Sequence, residues 1–430
     1  MLAAPAGAAS GRRTVALGAT TGSPVTIVTD PIGLSVEYPV LAADLGPGPC
    51  PPPALTGVLQ ALGDPTIRIG GDSEDQTAPA GTPPFSGVTD LPAAFWSQLA
   101  CLESQTHEPF AVGLNLASQT PAWAYAIAAG ARSAIPANLL SFELGNEADI
   151  DGPSIPWWNA TGLAKTLLPL PTYVNDAAAL KLALGAGTVV EGPDFATGRW
   201  TKSIPEINSA LSLNTIDAHF YPLNACTGTS EATVSALLRS GTSEPGRSVL
   251  ETLAEAQALH LPMVISESNS VACRGKPGVS NSPAAAVWGM RLIINAIRRG
   301  IQSVRFHSSG SSYDPFTVLG GVVTTEPLYD ALLVAVQTLP VGASVSTLKT
   351  PRSLMAVEVT AGGGRKTYLV TNYGSKPTYV TVPAVGAQSV TDLTPYAPVV
   401  GTVKMNASAG HLTVPVHSNT VVAITPGAAG

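Results

Sequence analysis

The amino-acid sequence predicts an α/β protein, a (β/α)8 TIM barrel joined to an accessory antiparallel β-sandwich. Three features carry this. Between residues 29 and 338, eight short apolar runs are separated by stretches with helical periodicity, the pattern of a parallel barrel. Two of those runs close on glutamates, in Phe142-Glu143-Leu144-Gly145-Asn146-Glu147 and in Met263-Val264-Ile265-Ser266-Glu267. Carboxylates at strand ends sit at the C-terminal mouth of such a barrel, the face that carries active sites. From about residue 339 the helical patterns stop, and Val-, Thr- and Gly-rich segments with turn residues between them take over.

In chain order, residues 12–17 and 25–28 read as short strands. Because they precede the barrel, segment 1–28 is expected to join the sandwich of 339–430. Residues 32–38 form the first barrel strand, which carries Glu37 near its end, and 53–62 is helical. Residues 66–71 read as the second strand and a turn. The segment 91–102 is helical, 110–116 is strand three and 121–131 is an Ala-rich helix opened by Pro121, a position where proline costs no hydrogen bond. Strand four is 139–144. A Pro- and Trp-bearing loop follows at 153–158, then helical patterns at 160–168 and 171–183. Strands five to eight are expected at 185–190, 216–220, 263–266 and 303–307, with a helix at 284–299 closed by Gly300. The sandwich strands are expected at 354–359, 367–371, 378–382, 399–406, 411–414 and 420–424.

A chain of 430 residues exceeds one average domain, while a barrel alone takes about 250. A formal net charge of -7 and the lack of any basic stripe disfavour a nucleic-acid partner. No run reaches the roughly 20 apolar residues of a membrane-spanning helix. The cysteines at 50, 101, 226 and 273 form no C-x-x-C pair. Their even number and wide spacing suit two disulfides in an exported protein whose signal segment has been removed. Cys226 and Cys273 both follow expected barrel strands and are paired on that ground, leaving Cys50 with Cys101; four unpaired buried thiols is the alternative. Asn159-Ala160-Thr161 and Asn406-Ala407-Ser408 fit the N-glycosylation pattern.

Two carboxylates facing each other, one preceded by Asn, are what cleavage of a glycosidic bond needs. Glu267 reads as nucleophile and Glu147 as acid/base, with Asn146 placed to bond the sugar 2-hydroxyl. An ionised Glu267 favours a protonated Glu147. Once Glu267 is glycosylated, Glu147 is free to lose that proton to activate water. Arg68, followed by Gly70-Gly71-Asp72-Ser73, is expected to keep the nucleophile ionised. Glu37 is a candidate acceptor from sugar hydroxyls. His219 and Tyr221 fall on one side of strand six, with Tyr221 donating to Glu267, and His307 ends strand eight. Trp157-Trp158 offers faces for sugar stacking. The plain alternatives are glutamates that cap helices or pair with Arg, histidines satisfied in the core, and a Trp pair that anchors its loop. No H-E-x-x-H, G-x-G-x-x-G or G-x-S-x-G segment is present, so no metal or other cofactor is called for.

At these positions the chain resembles glycoside hydrolase family 79, the β-glucuronidase and heparanase-like enzymes. The carrying segments are Arg68-Ile69-Gly70-Gly71-Asp72-Ser73, Phe142 to Glu147, Asp217-Ala218-His219-Phe220-Tyr221-Pro222, Ile265-Ser266-Glu267-Ser268-Asn269-Ser270 and Gly275-Lys276-Pro277-Gly278-Val279-Ser280-Asn281. The resemblance implies a retaining mechanism with Glu147 as acid/base and Glu267 as nucleophile, and a uronic acid in the site. It implies that the loop after the nucleophile, including Ala272, Cys273, Arg274 and Gly275, binds the sugar carboxylate, and that Tyr313 lines the sugar site. This loop departs from the family pattern: the usual Tyr is absent, and Cys and Arg interrupt the glycines. The expected function is a secreted retaining exo-β-glucuronidase acting on glucuronic-acid-containing carbohydrate. Rivals are a glucuronidase for rhamnosyl- or 4-O-methyl-capped glucuronides, an endo-acting heparanase-like enzyme, and a uronate-binding module without turnover.

Overall fold

The computed structural model describes residues 14–82, 88–118, 120–150, 167–185, 187–226, 231–384 and 386–426. The loop at 153–158 with its Trp pair, the glycosylation pattern at Asn159 and most of the helix expected at 160–168 lie outside the described residues.

Eight parallel strands form the barrel: β1 (Ile32–Glu37), β2 (Thr66–Gly70), β3 (Phe110–Leu114), β4 (Leu139–Leu144), β5 (Glu191–Phe195), β6 (Thr215–Phe220), β7 (Met263–Ser268) and β8 (Val304–Ser308). Their order is β4-β3-β2-β1-β8-β7-β6-β5, and a parallel bridge from Phe142 to Val190 closes the ring. The helices between and after them are α1 (Pro53–Ala61), α2 (Phe95–Thr106), α3 (Pro121–Ala134), α4 (Leu170–Leu184), α5 (Ile204–Leu211), α6 (Arg247–Ala258), α7 (Pro283–Arg299) and α8 (Pro327–Thr338). Six of them, α1, α3, α4, α5, α7 and α8, carry proline in the first two positions, where its missing N–H has no helical partner to lose. Gly300, at φ +94°, ends α7 as expected.

Strand five differs from the sequence expectation. It occupies Glu191–Phe195, after the Val-rich 185–190 segment. Gly192 and Pro193 argue against a strand by propensity. They are tolerated because Glu191 and Asp194 find buried polar partners inside the barrel. A short helix at Tyr38–Leu45, helix α8 and the sandwich strand Ala387–Leu393 were also not expected.

The accessory unit has two sheets. The larger orders Val25–Thr26, Ser344–Thr347, Leu354–Thr360, Lys366–Asn372, Val421–Pro426, Ala387–Leu393 and Val400–Asn406. The smaller orders Thr14–Ala16, Thr378–Pro383 and His411–Val416. Strand alternation explains how the larger sheet is buried on both faces. Along Leu354–Thr360, Leu354 and Ala356 pack between the sheets with Val380, Val414 and Ile424, while Met355, Val357 and Val359 pack into the barrel core. Arg291 of α7, fully buried, donates to the carbonyls of Leu238 (3.1 Å) and Asn372 (3.1 Å) and lies over the Tyr373 ring. It thereby fixes the barrel to the sandwich.

Disulfides join Cys50 to Cys101 and Cys226 to Cys273, with Cα–Cα distances of 5.4 and 5.1 Å. The first links the start of α1 to α2, away from the barrel mouth. Closing a loop of this size should contribute about 2–4 kcal/mol. The variant Cys50→Ser/Cys101→Ser is therefore expected to lose about that much stability in urea melts. An unaltered melting midpoint would refute the assignment.

Candidate active site

The barrel interior is polar where such barrels are usually filled by Val, Ile and Leu. Arg68, from β2, is fully buried and faces four carboxylates. Its Nε donates to Glu143 Oε2 (2.6 Å), its Nη1 to Glu267 Oε2 (2.8 Å), and its Nη2 to Asp194 Oδ1 (3.4 Å) and Asn146 Oδ1 (3.0 Å); Glu74 lies 3.7 Å away. Below it, Arg305 of β8 pairs with Glu191 and lies 3.5 Å from Glu143. Space for this layer comes from glycine: a Cβ on Gly113 would sit 2.1 Å from Glu74 Oε2.

Local backbone devices aim the side chains. Opposite Ala218 and His219, β7 holds Ile265 and Glu267, so Ser266 is an extra, bulged residue. The bulge lets Ser266 Oγ reach Asp194 Oδ1 (2.9 Å) while Glu267 faces the mouth. A second register shift, between β5 and β6, turns Asp194 inward. Glu147 takes a left-handed conformation at φ +48°, costly for a residue with a Cβ. Three contacts hold it there. The N–H groups of Gly145 and Asn146 donate to Glu74 (2.8 Å) and Asp75 (3.0 Å), and the Glu147 N–H donates to the Asp194 carbonyl (3.0 Å).

The result is a cavity of about 620 Å³ at the C-terminal ends of the strands, walled by Glu37, Asp72, Glu147, Tyr221, Glu267, His307 and Tyr313, with Ala272, Arg274 and the Cys226–Cys273 disulfide at one side. Carboxylate oxygens of Glu147 and Glu267 and a ring nitrogen of His219 all lie within 4.8 Å of one another. His219 Nδ1 is 2.7 Å from Glu147 Oε1, and its Nε2 is 3.3 Å from Asp194 Oδ1. Tyr221 donates to Glu267 Oε1 at 2.7 Å. Arg68, Asn146, His219 and Gly275, all candidates from the sequence, stand behind the wall as supports. Glu74, Asp75, Glu143 and Asp194 were missed. For Glu143 the signal existed, since it sits on strand four two residues from Ser141 on the inward face. For Asp194 it did not, because its strand was misplaced.

Burial raises the carboxyls of Glu74, Glu143 and Asp217 well above the usual range, so the layer is not a field of unscreened charge. Glu267 goes the other way. Burial pushes it up, but His307, His219 and Arg68 outweigh this and hold it at about 2. His219 is raised: burial opposes its charge, and Glu267, Asp194 and Glu147 favour it more.

No protein-family model and no curated protein sequence matches the chain. Its fold neighbours among solved structures are glycoside hydrolases. A 4-O-α-L-rhamnosyl-β-D-glucuronidase from Fusarium oxysporum 12S aligns at a TM-score of 0.75 and 18% identity, over 96% of this chain and 100% of that one. A family 51 arabinofuranosidase from Xanthomonas axonopodis pv. citri aligns at 0.70 and 12%, over 96% and 99%. A family 44 xyloglucanase from Paenibacillus polymyxa aligns at 0.63 and 10%, over 96% and 100%. At these identities the likeness is one of fold: a TIM barrel with an accessory β-sandwich.

Asp72, on the cavity wall, is pushed up to about 7, first by burial and then by Glu37, Glu147 and Glu267, with His307 opposing. A carboxyl raised above its free value of about 3.9 contributes stability that is complete below that value and lost as pH rises through the folded value. Because the Asp72 residue is exposed at the cavity wall and water screens its charge, only part of this linkage survives: Asp72→Asn is expected to be modestly more stable than wild type at pH 8 and nearly equal to it at pH 4. Urea melts at the two pH values check this, and equal stability at pH 8 would count against it.

Proposed function

We propose that the protein is a retaining exo-β-glucuronidase, acting on terminal β-linked glucuronic acid through a covalent glycosyl-enzyme. The observation that carries the reading is that an oxygen of Glu147 and an oxygen of Glu267 come within 4.8 Å of each other across the barrel mouth, which leaves no room for a water between those two atoms and the sugar. Carboxyls about 5–5.5 Å apart serve double displacement, whereas inversion needs about 6.5–9.5 Å to admit a water.

In this reading Glu267 attacks the anomeric carbon as the bond to the leaving oxygen breaks. Arg68 and Tyr221 keep its two oxygens ionised and aligned. Glu147 has one oxygen on His219 and gives a proton from the other to the departing oxygen. With Glu267 esterified, Glu147 takes a proton from water, which attacks the same carbon and frees Glu267. Glu37, held by the Ser73 N–H (2.7 Å), serves the sugar hydroxyls, and Asn146, bonded to Arg68, supports the turn that carries Glu147.

The uronate carboxylate is assigned to the loop after β7. Cys273, Arg274 and Gly275 lie consecutively in the left-handed region, at φ +62°, +69° and +73°. Successive N–H groups in such turns gather into anion-binding concavities. The Gly275 N–H returns to the Val271 carbonyl (3.1 Å), so the N–H groups of Cys273 and Arg274, with the Arg274 side chain, are given to the sugar. A capped glucuronide is the second reading. The cavity, about 620 Å³, is roomier than one pyranose ring needs, and a fold neighbour is named for a rhamnosyl glucuronide. The two disulfides fit an oxidising compartment, and we assign the protein to the extracellular space. Among the described residues no helix is long and apolar enough to cross a membrane.

Aryl glycosides differing only at C6, with carboxylate, hydroxymethyl or hydrogen, test the substrate assignment. The carboxylate is expected to lead in kcat/KM, and Arg274→Ala to raise KM about 10-fold for that compound alone. Equal rates across the panel would remove glucuronate from the proposal. A capped disaccharide assayed alongside separates the two readings.

Glu267→Ala is expected to lose about 10⁴-fold or more in kcat and the adduct trapped by a fluorinated glucuronide. Glu147→Ala should slow poor leaving groups most and respond to azide. An adduct on another residue, or uniform slowing by Glu147→Ala, would overturn the respective role.

A further inference from the structure

His307 is next to last in β8, and β8 lies between β1 and β7 in the barrel. The topology therefore sets its ring between Glu37 on one side and Glu267 on the other. Nε2 is 3.3 Å from Glu37 Oε1, and Nδ1 is 3.4 Å from Glu267 Oε2 and 3.1 Å from Ser35 Oγ. Ser35 Oγ in turn accepts from Arg68 Nη1 (3.1 Å), the group that also holds Glu267 Oε2. The ring is fixed from the other directions too. Its centroid is 5.8 Å from that of Tyr313, and Asn269 Nδ2 donates to both the His307 and Tyr313 carbonyls at 3.0 Å. Gly71, at φ +77°, leaves room for the pair: a Cβ there would lie 2.7 Å from Glu37 Oε1 and 2.8 Å from His307 Cε1. Contacts on every side and a glycine that vacates its space mark a designed bridge between two wall carboxylates.

We propose that His307 is a positioning residue that couples Glu37 to Glu267, so that the grip on the sugar and the charge on the nucleophile change together. The inference rests on the glycosidase reading. In the free enzyme the imidazolium is shared between the two carboxylates. When Glu267 becomes a neutral ester, the ring loses one of its two carboxylate partners and its remaining ion pair is to Glu37, so the charge that Glu37 presents to the sugar changes with the state of the nucleophile.

The groups facing the ring are Glu37 from β1, Arg68 from β2, Asp72 from the loop after β2, Glu267 from β7, and Tyr313 and Asp314 from the loop after β8. Burial works against the imidazolium, Glu267 and Glu37 favour it, and Arg68 opposes; the balance raises His307 above the ordinary histidine range. Its ion pairs are therefore complete below the ordinary value of about 6.5 and lost as pH rises through the folded value.

The test uses His307→Gln, a neutral donor of similar reach, with folding checked by the melting midpoint. One readout needs no substrate. NMR of the labelled imidazoles is expected to show His307 charged at neutral pH in wild type and titrating lower in Glu267→Gln. The second is kcat/KM against pH on an aryl glycoside that wild type hydrolyses. The acid limb, which reports ionised Glu267, should move up by about one pH unit or more in folded His307→Gln. Glu37→Gln combined with His307→Gln should cost less than the product of the single losses. An imidazole indifferent to Glu267→Gln, or an unmoved acid limb, overturns the role of His307. Absence of any glycoside turnover by wild type overturns the glycosidase reading instead.

Discussion

A single guanidinium organises the polar interior. Arg68 lies 3.7 Å or closer to Glu74, Glu143, Asp194 and Glu267, at a position with no exposure to water. Removing it would leave buried carboxylates uncompensated, a loss of about 3–5 kcal/mol for one such pair. Lysine could not replace it, since the contacts need donors fixed in several directions: Nε toward β4, Nη1 toward β1 and β7, Nη2 toward the loop after β4 and toward β5. Burial raises Glu74 and Glu143 well above the usual carboxylate range, although Arg68 pulls both the other way. Glu267, nearest the mouth and flanked by two histidines as well, keeps its charge.

The same guanidinium also reaches the other arm of the site. It holds the Asn146 side chain, one residue from Glu147, while Glu74 and Asp75 hold the backbone of Gly145 and Asn146. Asp194 closes the circuit by accepting from Arg68, Ser266 and His219 and by offering its carbonyl to the Glu147 N–H. Glu147 and Glu267 are thus set at their separation by shared partners. The strain of a left-handed Glu147 persists because the surroundings over-determine it.

This architecture explains what was legible in the sequence. A glutamate at the end of an apolar run is visible because the strand-end position and the barrel face are both properties of local sequence, as at Glu147, Glu267 and Glu37. The supports are not local. Asp194 works only because a bulge turns it inward, and its strand carries Gly192 and Pro193, which spoil the propensity signal. Glu74 and Asp75 look like surface acids and are fully buried beneath the 145–147 turn. Helix α8 was overlooked because its apolar run merges with the onset of the Val-rich sandwich. Strand Ala387–Leu393 was overlooked because Gln, Ser, Thr and Asp interrupt its apolar residues. The pairing of Cys226 with Cys273 was legible because it depended only on where strands end, and that of Cys50 with Cys101 followed by elimination.

For the proposed substrate, the charge map also sets the pose. Glu37 and the ionised Glu267 line the cavity, so a uronate cannot present its carboxylate to that part of the wall without like-charge repulsion. Among the residues that wall the cavity, positive character is concentrated at two places. His307 is enclosed by Glu37 and Glu267, which already use its charge. The rim at Arg274 is exposed and adjoins the left-handed turn of 273–275. That turn is braced twice: the Cys226–Cys273 bond ties it to the loop after β6, and Arg274 donates to the Ser309 carbonyl (3.1 Å) and accepts from Ser312 Oγ (3.3 Å) in the loop after β8. Repulsion from the acidic walls and attraction at one braced corner point C6 toward β7 and the hydroxyls toward β1 and β2. Discrimination between a uronic acid and a neutral hexose then needs no further cation in the cavity, because the walls exclude the wrong orientations.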